Sequence, residues 1–305
     1  MPAILIKDLC KTYGNIKAVD GLNLEIEEKE IFGILGPNGA GKTTTLEMIE
    51  TLREYDSGEI TVFGMDVRRD ARAIKEILGV QLQNTVFFDN LSVWETIDLF
   101  GSFYAKSVEP DALLELVSLP DKAKSKLNEL SGGQQKRVSI ALALVNDPRI
   151  VFLDEPTTGL DPQARRNIWD IVEQLRNREK TVVLTTHYIE EAEYLCDRVA
   201  VMDLGKMVAL DTPNGLINSY ASESNIAFHM HPAVPDEVIQ GITGVKTVAR
   251  QNGEEYAVTT ETPQDTLAGI FQAAFDHGCI ADEITMHRAT LEDVFLKITG
   301  RSIRE

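Results

Sequence analysis

Short, continuous apolar runs alternate with helical patterns over the first two-thirds of the chain. The clearest runs occupy residues 31–35, 150–153 and 181–184. Because none shows the apolar–polar alternation of a strand with one wet face, each is predicted to be a strand buried on both faces of a parallel sheet. Each run is followed by polar residues, at the strand end where open α/β sheets place their ligands. The pattern therefore predicts an α/β fold.

Helical patterns fill the intervals between these runs. Asp161 followed by Pro162 is typical of a helix start, because aspartate caps the helix and proline suits its first turn. Residues 87–145 are mostly helical in pattern, which indicates a helical insertion into the α/β core. The helix after Asp161 is predicted to bury Ile168, Ile171, Val172 and Leu175.

The pattern changes after about Ser219, so the chain is predicted to hold two domains, residues 1–219 and 220–305. Residues 220–225 are polar and suit a linker. The remainder follows the order β-α-β-β-α-β of the ferredoxin-like arrangement, a small α+β domain. Its strands are predicted at 226–230, 245–250, 255–260 and 283–288, and its helices at 235–242 and 263–277.

Residues typical of turns and helix caps mark the ends of several elements in the predicted second domain, called the tail below. Asn252 and Gly253 stand where a hairpin turn is needed, and Thr262 stands where it can cap the second helix. Thr290, with Asp293 three residues later, opens a last helix. That helix is predicted to bury Leu291, Val294, Phe295 and Ile298.

The 305-residue chain has a net charge of -18. Proteins held by nucleic-acid phosphates or by anionic lipid normally present a basic surface, so neither partner is expected. No apolar run approaches the roughly 20 residues that cross a bilayer, and the N-terminus lacks a signal-peptide core. Three widely spaced cysteines fit a reducing compartment. The expectation is a cytoplasmic protein without direct lipid insertion, which reaches any membrane through another protein.

The sharpest chemical signal is a glycine-rich loop between a predicted strand and a helix. Its glycines allow successive backbone N–H groups to point at phosphate oxygens, and the helix adds its positive N-terminal end. Lys42 is predicted to reach the β- and γ-phosphates, and the Thr43 hydroxyl to hold Mg²⁺. The residues predicted to bind nucleotide here are Gly36, Pro37, Asn38, Gly39, Ala40, Gly41, Lys42, Thr43 and Thr44.

Two carboxylates follow the predicted strand at residues 150–153. Neighbouring residues on a strand point in opposite directions, so Asp154 and Glu155 are expected to have different roles. Asp154 suits a Mg²⁺ ligand, whereas Glu155, just past the strand, is placed to accept a proton from an attacking water. A phosphate loop alone is compatible with a kinase or a GTPase, and this pair favours ATP hydrolysis.

A second anion-binding turn precedes the helical pattern at residues 136–145. Ser131 and Gln134 have the spacing of a capping box, and Gly132 and Gly133 add backbone amides. The helix that follows is apolar nearly all round and is predicted to be buried. One chain that binds one ATP has no need of two phosphate sites. The second site is therefore predicted to close on a nucleotide held by another subunit.

Together these motifs resemble those of an ABC transporter nucleotide-binding protein, over roughly residues 4–218. The resemblance rests on the loop 36–43, the signature 130–134, the Asp154–Glu155 pair and the segment 159–161. It implies a P-loop NTPase core with a parallel sheet, an antiparallel β-subdomain and a helical subdomain. It also implies ATP and Mg²⁺ as cofactors, a homodimer or a heterodimer with a like subunit, and an integral membrane permease as partner.

The resemblance also assigns roles to single residues. It implies that Tyr13 stacks on adenine, that His187 contacts the γ-phosphate and holds the attacking water, and that Asp161 lies at the dimer seam. Gln83 is expected to sense the γ-phosphate and Mg²⁺, although Gln81 departs from the family pattern beside it. The catalytic residues expected are Glu155, His187 and Gln83, and the metal ligands are Thr43, Gln83 and Asp154.

The tail carries a second resemblance. Residues 289–296 and 299–301 are similar to the C-terminal end of daunorubicin-resistance-type drug-export ATPases, which favours export over import. Regulation, docking and dimer stabilisation are all open roles for this domain, and dimer stabilisation is preferred. His229 and His231 share one face of a predicted strand, but no third metal ligand is within reach by sequence, so an ordinary strand face is the preferred interpretation.

The predicted function is ATP hydrolysis that energises a separate permease. One alternative is a soluble ABC ATPase that acts on DNA or the ribosome. The acidic charge opposes it, and the chain shows neither an internal repeat nor extended heptads. A second alternative is a phosphotransferase, which would have no use for the turn at Ser131.

Overall fold

The computed structural model describes residues 2–82, 90–220, 223–251, 253–287 and 289–300. They form two compact units, the first ending at Pro213 and the second beginning at Asn214. In the first unit the strands are β1 (Ile4–Tyr13), β2 (Ile16–Ile26), β3 (Ile31–Leu35), β4 (Ser57–Val62), β5 (Met65–Asp66), β6 (Leu78–Gln81), β7 (Ile150–Asp154), β8 (Thr181–Thr186), β9 (Arg198–Asp203) and β10 (Lys206–Asp211). Its helices are α1 (Lys42–Ile49), α2 (Ala71–Ile77), α3 (Val93–Gly101), α4 (Pro110–Leu116), α5 (Gly132–Ala143), α6 (Pro162–Asn177) and α7 (Ile189–Leu195).

A six-stranded sheet in the order β10-β9-β3-β8-β7-β6 forms the centre of the first unit. Strand β10 pairs antiparallel with β9, and the other pairings are parallel. Every residue of β3, β7 and β8 is buried, as the continuous apolar runs predict for strands covered on both faces. Since these strands are parallel, the polar residues that follow them meet at one edge of the sheet.

A second sheet, antiparallel and in the order β2-β1-β4-β5, belongs to the same unit. Its buried side chains, such as Ile6 and Leu24, join those of the central sheet, such as Phe32 and Phe152, in one apolar core. The expected combination of a parallel sheet and an antiparallel sheet is therefore confirmed. This shared core includes residues of β3, the strand that precedes the glycine-rich loop, and so holds that strand in place.

Helices α3, α4 and α5 lie between β6 and β7 in the chain, which confirms the predicted helical insertion; residues 87–89 of that prediction lie outside the described residues. The predicted bounds of α5 are wrong, because the helix begins at Gly132 and ends at Ala143. Its first turn is only partly buried, and burial is complete from Val138 onward. Helix α6 begins at Pro162 with Asp161 as its cap, and its apolar face is buried as predicted.

In the second unit the element order is again as predicted. Helix α8 (Pro213–Tyr220) starts at the boundary, and the elements that follow it are β11 (Ser224–His231), α9 (Asp236–Gln240), β12 (Val245–Gln251), β13 (Glu255–Thr260), α10 (Pro263–His277), β14 (Ile280–His287) and α11 (Leu291–Thr299). The sheet has the order β12-β13-β11-β14 and is antiparallel throughout. One face packs on α9 and α10 through residues such as Phe228, Ile239 and Ile270. The ferredoxin-like assignment itself stays a prediction.

Several local expectations for the tail are wrong in detail. Residues 224–225 belong to β11 rather than to a linker, because they pair with β13. Thr262 precedes α10 but makes no side-chain cap. Its backbone N–H donates to Thr260 Oγ1 at 3.0 Å. The Thr290 capping box is present, while Ile298 is only half-buried. Asn252 and residue 288 lie outside the described residues.

No helix in the described ranges has the length and apolar character needed to cross a bilayer.

Candidate nucleotide-binding site

The loop between β3 and α1 depends on close backbone approaches. A Cβ atom on Gly36 would lie 2.4 Å from the carbonyl oxygen of Met202, and one on Gly41 would lie 2.2 Å from that of Ala18. Gly41 also has a backbone φ of +102°, a value that residues with a side chain rarely adopt. No other residue type fits at these two positions without moving the backbone, so the glycines let the loop fold back over the end of β3.

The ammonium group of Lys42 lies inside this loop. It donates hydrogen bonds to the carbonyl oxygens of Gly36 at 2.8 Å and Pro37 at 3.1 Å, and it lies 3.6 Å from Glu155 Oε1. Burial lowers the pKa of Lys42, while the carboxylates of Glu155 and Asp154 act in the opposite direction. A buried cation at the centre of a glycine loop is suited to an anionic ligand such as a triphosphate.

Thr43 and Asp154 bring two oxygen ligands together. Thr43 Oγ1, at the start of α1, lies 3.2 Å from Asp154 Oδ2 at the end of β7. Thr185 Oγ1 on the neighbouring strand β8 donates to Asp154 Oδ1 and accepts the backbone N–H of Glu155 at 3.0 Å. Mg²⁺ prefers oxygen ligands, and a hydroxyl beside a carboxylate supplies two of them, so these residues fit that ion.

Glu155 lies just past β7 with a φ of +45°, in the left-handed region that is uncommon for residues other than glycine. Its Oε2 accepts a hydrogen bond from Thr158 Oγ1 at 3.1 Å and lies 3.5 Å from His187 Nδ1. The Nδ1 atom of His187 is buried without a hydrogen-bond partner. The two side chains therefore converge at the edge of the sheet, where Lys42 also reaches Glu155.

The turn at Ser131 forms the predicted capping box. Ser131 Oγ accepts the N–H of Gln134 at 3.3 Å, and Gln134 Oε1 accepts the N–H of Ser131 at 3.0 Å. In this cap the Ser131 hydroxyl oxygen is the acceptor. The hydroxyl proton is therefore still available for donation to a ligand. Ser131 and Gly132 are exposed. A Cβ atom on Gly133 would lie 2.9 Å from the Cβ atom of Ala164, so this glycine lets α5 approach α6.

The residue predicted to stack on adenine, Tyr13, and the residue predicted to lie at the dimer seam, Asp161, are both at the surface of the first unit. Tyr13 is 38% exposed, with Lys11 Nζ and Arg53 Cζ each 5.4 Å from its ring centroid. An exposed ring flanked by cations is available for stacking. Asp161 is exposed and caps α6 by accepting the N–H of Ala164 at 2.9 Å.

Of the two glutamines, Gln81 alone lies among the described residues. Gln83 lies outside the described residues, so its expected role stays a prediction. Gln81 ends β6 and is buried, and its Nε2 donates to the carbonyl oxygen of Leu82. Thr185 and Thr158, which hold the two carboxylates, were missed by sequence reasoning. Their only signal was a threonine near a strand end, which has no specificity by itself.

The strand–loop–helix with a buried lysine, and the two carboxylates at the carboxyl end of β7 in the same sheet, define a P-loop nucleotide hydrolase. The signature turn at Ser131 narrows this class to the ATP-binding cassettes.

Comparison with known proteins agrees with this class. A family model described as "ABC transporter" matches residues 19–158. The Nod factor export ATP-binding protein I of Paraburkholderia xenovorans (strain LB400) is 40% identical over 318 residues, which cover 99% of each chain. The daunorubicin resistance ATP-binding protein DrrA3 of Streptomyces coeruleorubidus is 36% identical over 315 residues, covering 99% of this chain and 98% of the relative.

A solved structure supports the same assignment. A dimeric ATP-binding cassette in a post-hydrolysis state, bound to ADP and Pi, is similar with a TM-score of 0.63 and 30% identity, over 68% of this chain and 98% of that one. The chain belongs to the ATP-binding, ATP-hydrolysing subunits of ABC transporters.

Proposed function

We propose that this subunit energises a separate integral membrane permease by ATP-driven dimerisation. Each ATP is held between the loop 36–44 of one chain and the turn 131–134 of the other, in a homodimer or in a heterodimer with a like subunit. The observation that carries the proposal is the exposed turn at Ser131 and Gly132, which offers hydrogen-bond donors at the start of a largely buried helix. One chain that binds one ATP on the loop 36–44 has no need of a second phosphate site, so this turn is available to a nucleotide held by another subunit.

In this proposal the binding roles are those that the family resemblance implies. Lys42 exchanges its contacts with two loop carbonyls and Glu155 for the β- and γ-phosphates. Tyr13 stacks on the adenine ring, and Asp161 lies at the seam beside α6. The γ-phosphate links the two halves, so its loss weakens the seam.

For hydrolysis, Glu155 accepts a proton from the attacking water, and His187, 3.5 Å from its carboxylate, holds that water in place. Thr185 and Thr158 orient the carboxylates through the hydrogen bonds described above. When bound, Mg²⁺ would neutralise charge on the phosphates, and the residues that would hold it are Thr43, Asp154 and Gln83.

A cleft of 350 Å³ supports contact with the permease. It lies beside β6, and its walls are mostly apolar. An apolar cleft of this kind suits a short amphipathic helix, such as a cytoplasmic helix of the permease. This contact would place the protein at the cytoplasmic face of the membrane. Residues that line the cleft include Leu52, Leu78, Leu82, Phe100, Tyr104 and Leu142.

Export is the proposed direction of transport. The relatives from Paraburkholderia and Streptomyces are named for Nod factor export and for daunorubicin resistance, and each matches nearly the whole chain. The match therefore includes the second unit, and with it the tail residues 289–296.

The proposal is tested with the variant Glu155→Gln. Removal of the general base is expected to slow hydrolysis about 10²–10⁴-fold while ATP binding is retained. We expect the variant to elute as a dimer from a sizing column with Mg-ATP and as a monomer without nucleotide. The control is Glu155→Gln combined with Lys42→Met, which should stay monomeric because the triphosphate is not held. A Glu155→Gln protein that binds Mg-ATP yet stays monomeric would show that the dimer proposal is wrong.

A further inference from the structure

Two histidines and an aspartate converge on the sheet of the second unit. Along β11, His229 and His231 alternate with the buried Phe228 and Met230, so they lie on the face opposite the apolar core. Asp282 on β14 pairs directly with His229. One donor atom from each of His229, His231 and Asp282 lies within 4.8 Å of the other two. The sheet thus joins residues that are distant in the sequence.

A β-bulge adds a second carboxylate to this cluster. Between the pairs Ala227–Thr285 and His229–Asp282, β11 has one residue where β14 has two. Glu283, in the longer stretch, has a φ of +48°. Its Oε2 lies 3.6 Å from His229 Nδ1. The bulge therefore lets Glu283 reach His229, which is already paired across the strands with Asp282.

His231 is oriented from its other side. Its Nδ1 lies 2.7 Å from Glu254 Oε2, a hydrogen bond that places the ring proton on Nδ1. In a neutral imidazole the lone pair is then on Nε2, which lies 3.6 Å from Asp282 Oδ1. Donor atoms around a tetrahedral ion with bonds of about 2.0–2.1 Å are separated by roughly 3.4 Å. A carboxylate that orients a histidine so that its other nitrogen faces a second ligand is the arrangement found around metal-binding histidines.

We propose that His229, His231 and Asp282 bind a divalent transition-metal ion of the Zn²⁺ type, with Glu254 orienting His231. Two imidazoles and one carboxylate suit Zn²⁺, whereas Ca²⁺ and Mg²⁺ prefer oxygen ligands alone. The carboxylates of Glu254 and Glu283 add negative charge that favours a cation. Within the described ranges, no other group of three such side chains meets the same distance condition. Three protein ligands leave a coordination position for water, and the ion would join β11 to β14.

The test uses the full-length chain without a polyhistidine tag, dialysed against a chelator and titrated with zinc chloride alone. We expect one Zn²⁺ per chain, lost in His229→Ala and His231→Ala and retained in the matched control His287→Ala on the same sheet. Glu254→Gln is expected to weaken zinc affinity about 10–100-fold, as changes to residues behind a metal ligand do. Zinc-edge X-ray absorption should show two imidazole ligands at about 2.0–2.1 Å.

Further variants distinguish the proposed site from zinc bound elsewhere on the chain and from loss of folding. His187→Ala reports zinc held at the nucleotide site, and the proposal is wrong if that variant loses the ion while His231→Ala keeps it. Absence of zinc binding, or equal displacement of zinc by Ca²⁺, also overturns it. If the alanine variants do not fold, the near-isosteric Asp282→Asn replaces them, and unchanged affinity in that variant counts against the site.

Discussion

The buried ammonium of Lys42 lies 3.6 Å from the buried carboxylate of Glu155, and the two side chains are only 4% and 8% exposed. The two groups proposed to act on the triphosphate therefore balance each other's charge before it binds. Desolvation makes each charge costly alone, so the pair holds both side chains in place at the edge of the sheet. Binding of the triphosphate would move Lys42 to the phosphates and release Glu155 toward water.

Replacement of Lys42 by methionine is expected to destabilise the protein without nucleotide. Removal of one partner of a buried ion pair costs about 3–5 kcal/mol of unfolding free energy, and the lower end is expected because Thr158 still donates to Glu155. Urea unfolding measures this loss.

Two controls accompany this prediction. The double variant Lys42→Met with Glu155→Gln should recover most of the stability, because no uncompensated charge remains. Lys29→Met, which breaks an exposed pair with Glu179, should cost no more than about 1 kcal/mol. Equal losses for Lys42→Met and Lys29→Met would contradict the charge-balance argument.

Ser131 has a structural role and a proposed binding role that substitution can separate. Ser131→Ala removes the cap of α5 and should cost about 1 kcal/mol, whereas Ser131→Asp keeps a good cap and should be nearly as stable as the parent. Both variants lose the hydroxyl donor, so both should fail to dimerise with Mg-ATP in the Glu155→Gln background. Thermal unfolding and a sizing column make the two measurements.

The matched control for Ser131 is Ser92, which forms the same capping box on α3 with Glu95. Ser92→Ala should lose a similar stability and still dimerise. Dimerisation of Ser131→Asp at the parent level would refute the binding role.

Adjacent glycines in the signature turn should respond differently to alanine. A Cβ atom on Gly133 would come within 2.9 Å of Ala164 Cβ, so Gly133→Ala forces α5 away from α6 and should cost about 1–3 kcal/mol. A Cβ atom on Gly132 meets nothing within 4 Å, so Gly132→Ala should unfold at the parent's temperature. Calorimetry of both variants tests this steric explanation. If the turn instead required glycine at both positions, both variants would be destabilised.

Because the carboxyl group of Glu50 is buried, we expect the unfolding free energy to depend on pH. Burial, followed by the charges of Asp154 and Glu47, raises the pKa of this carboxyl from an ordinary 4.5 to about 8. The folded state therefore keeps a proton that the unfolded state loses above pH 4.5. The unfolding free energy should fall as pH rises from 4.5 to 8 and level off above it.

Glu50→Gln cannot ionise, so it should match the parent near pH 5 and exceed it by a few kcal/mol near pH 9, at about 1.4 kcal/mol per pKa unit. The exposed neighbour Glu54→Gln is the control and should show no such divergence. Parallel stability curves for Glu50→Gln and the parent across this pH range would refute the prediction. Urea unfolding at fixed pH values supplies the curves.

Features that depend on neighbours in the chain were predictable from the sequence. The buried strands β3, β7 and β8 follow from continuous apolar runs, and the capping boxes at Ser131 and Thr290 follow from three-residue spacing. The glycine loop is local for the same reason, since its fold depends on backbone torsions within a few residues. Thr262 shows the limit, because a residue of the right type at the right position makes no side-chain cap of α10.

Features that depend on strand order and register required the tertiary structure. Thr185 reaches Asp154 because β8 pairs with β7, and no spacing in the chain states that pairing. Asp282 joins His229 and His231 through the register of β14 on β11, so the third ligand was invisible in the sequence. The amino-acid sequence determined which chemical groups are present and how each short segment folds. The tertiary structure alone decided which groups meet, because contacts between distant segments arise from the packing of the whole sheet.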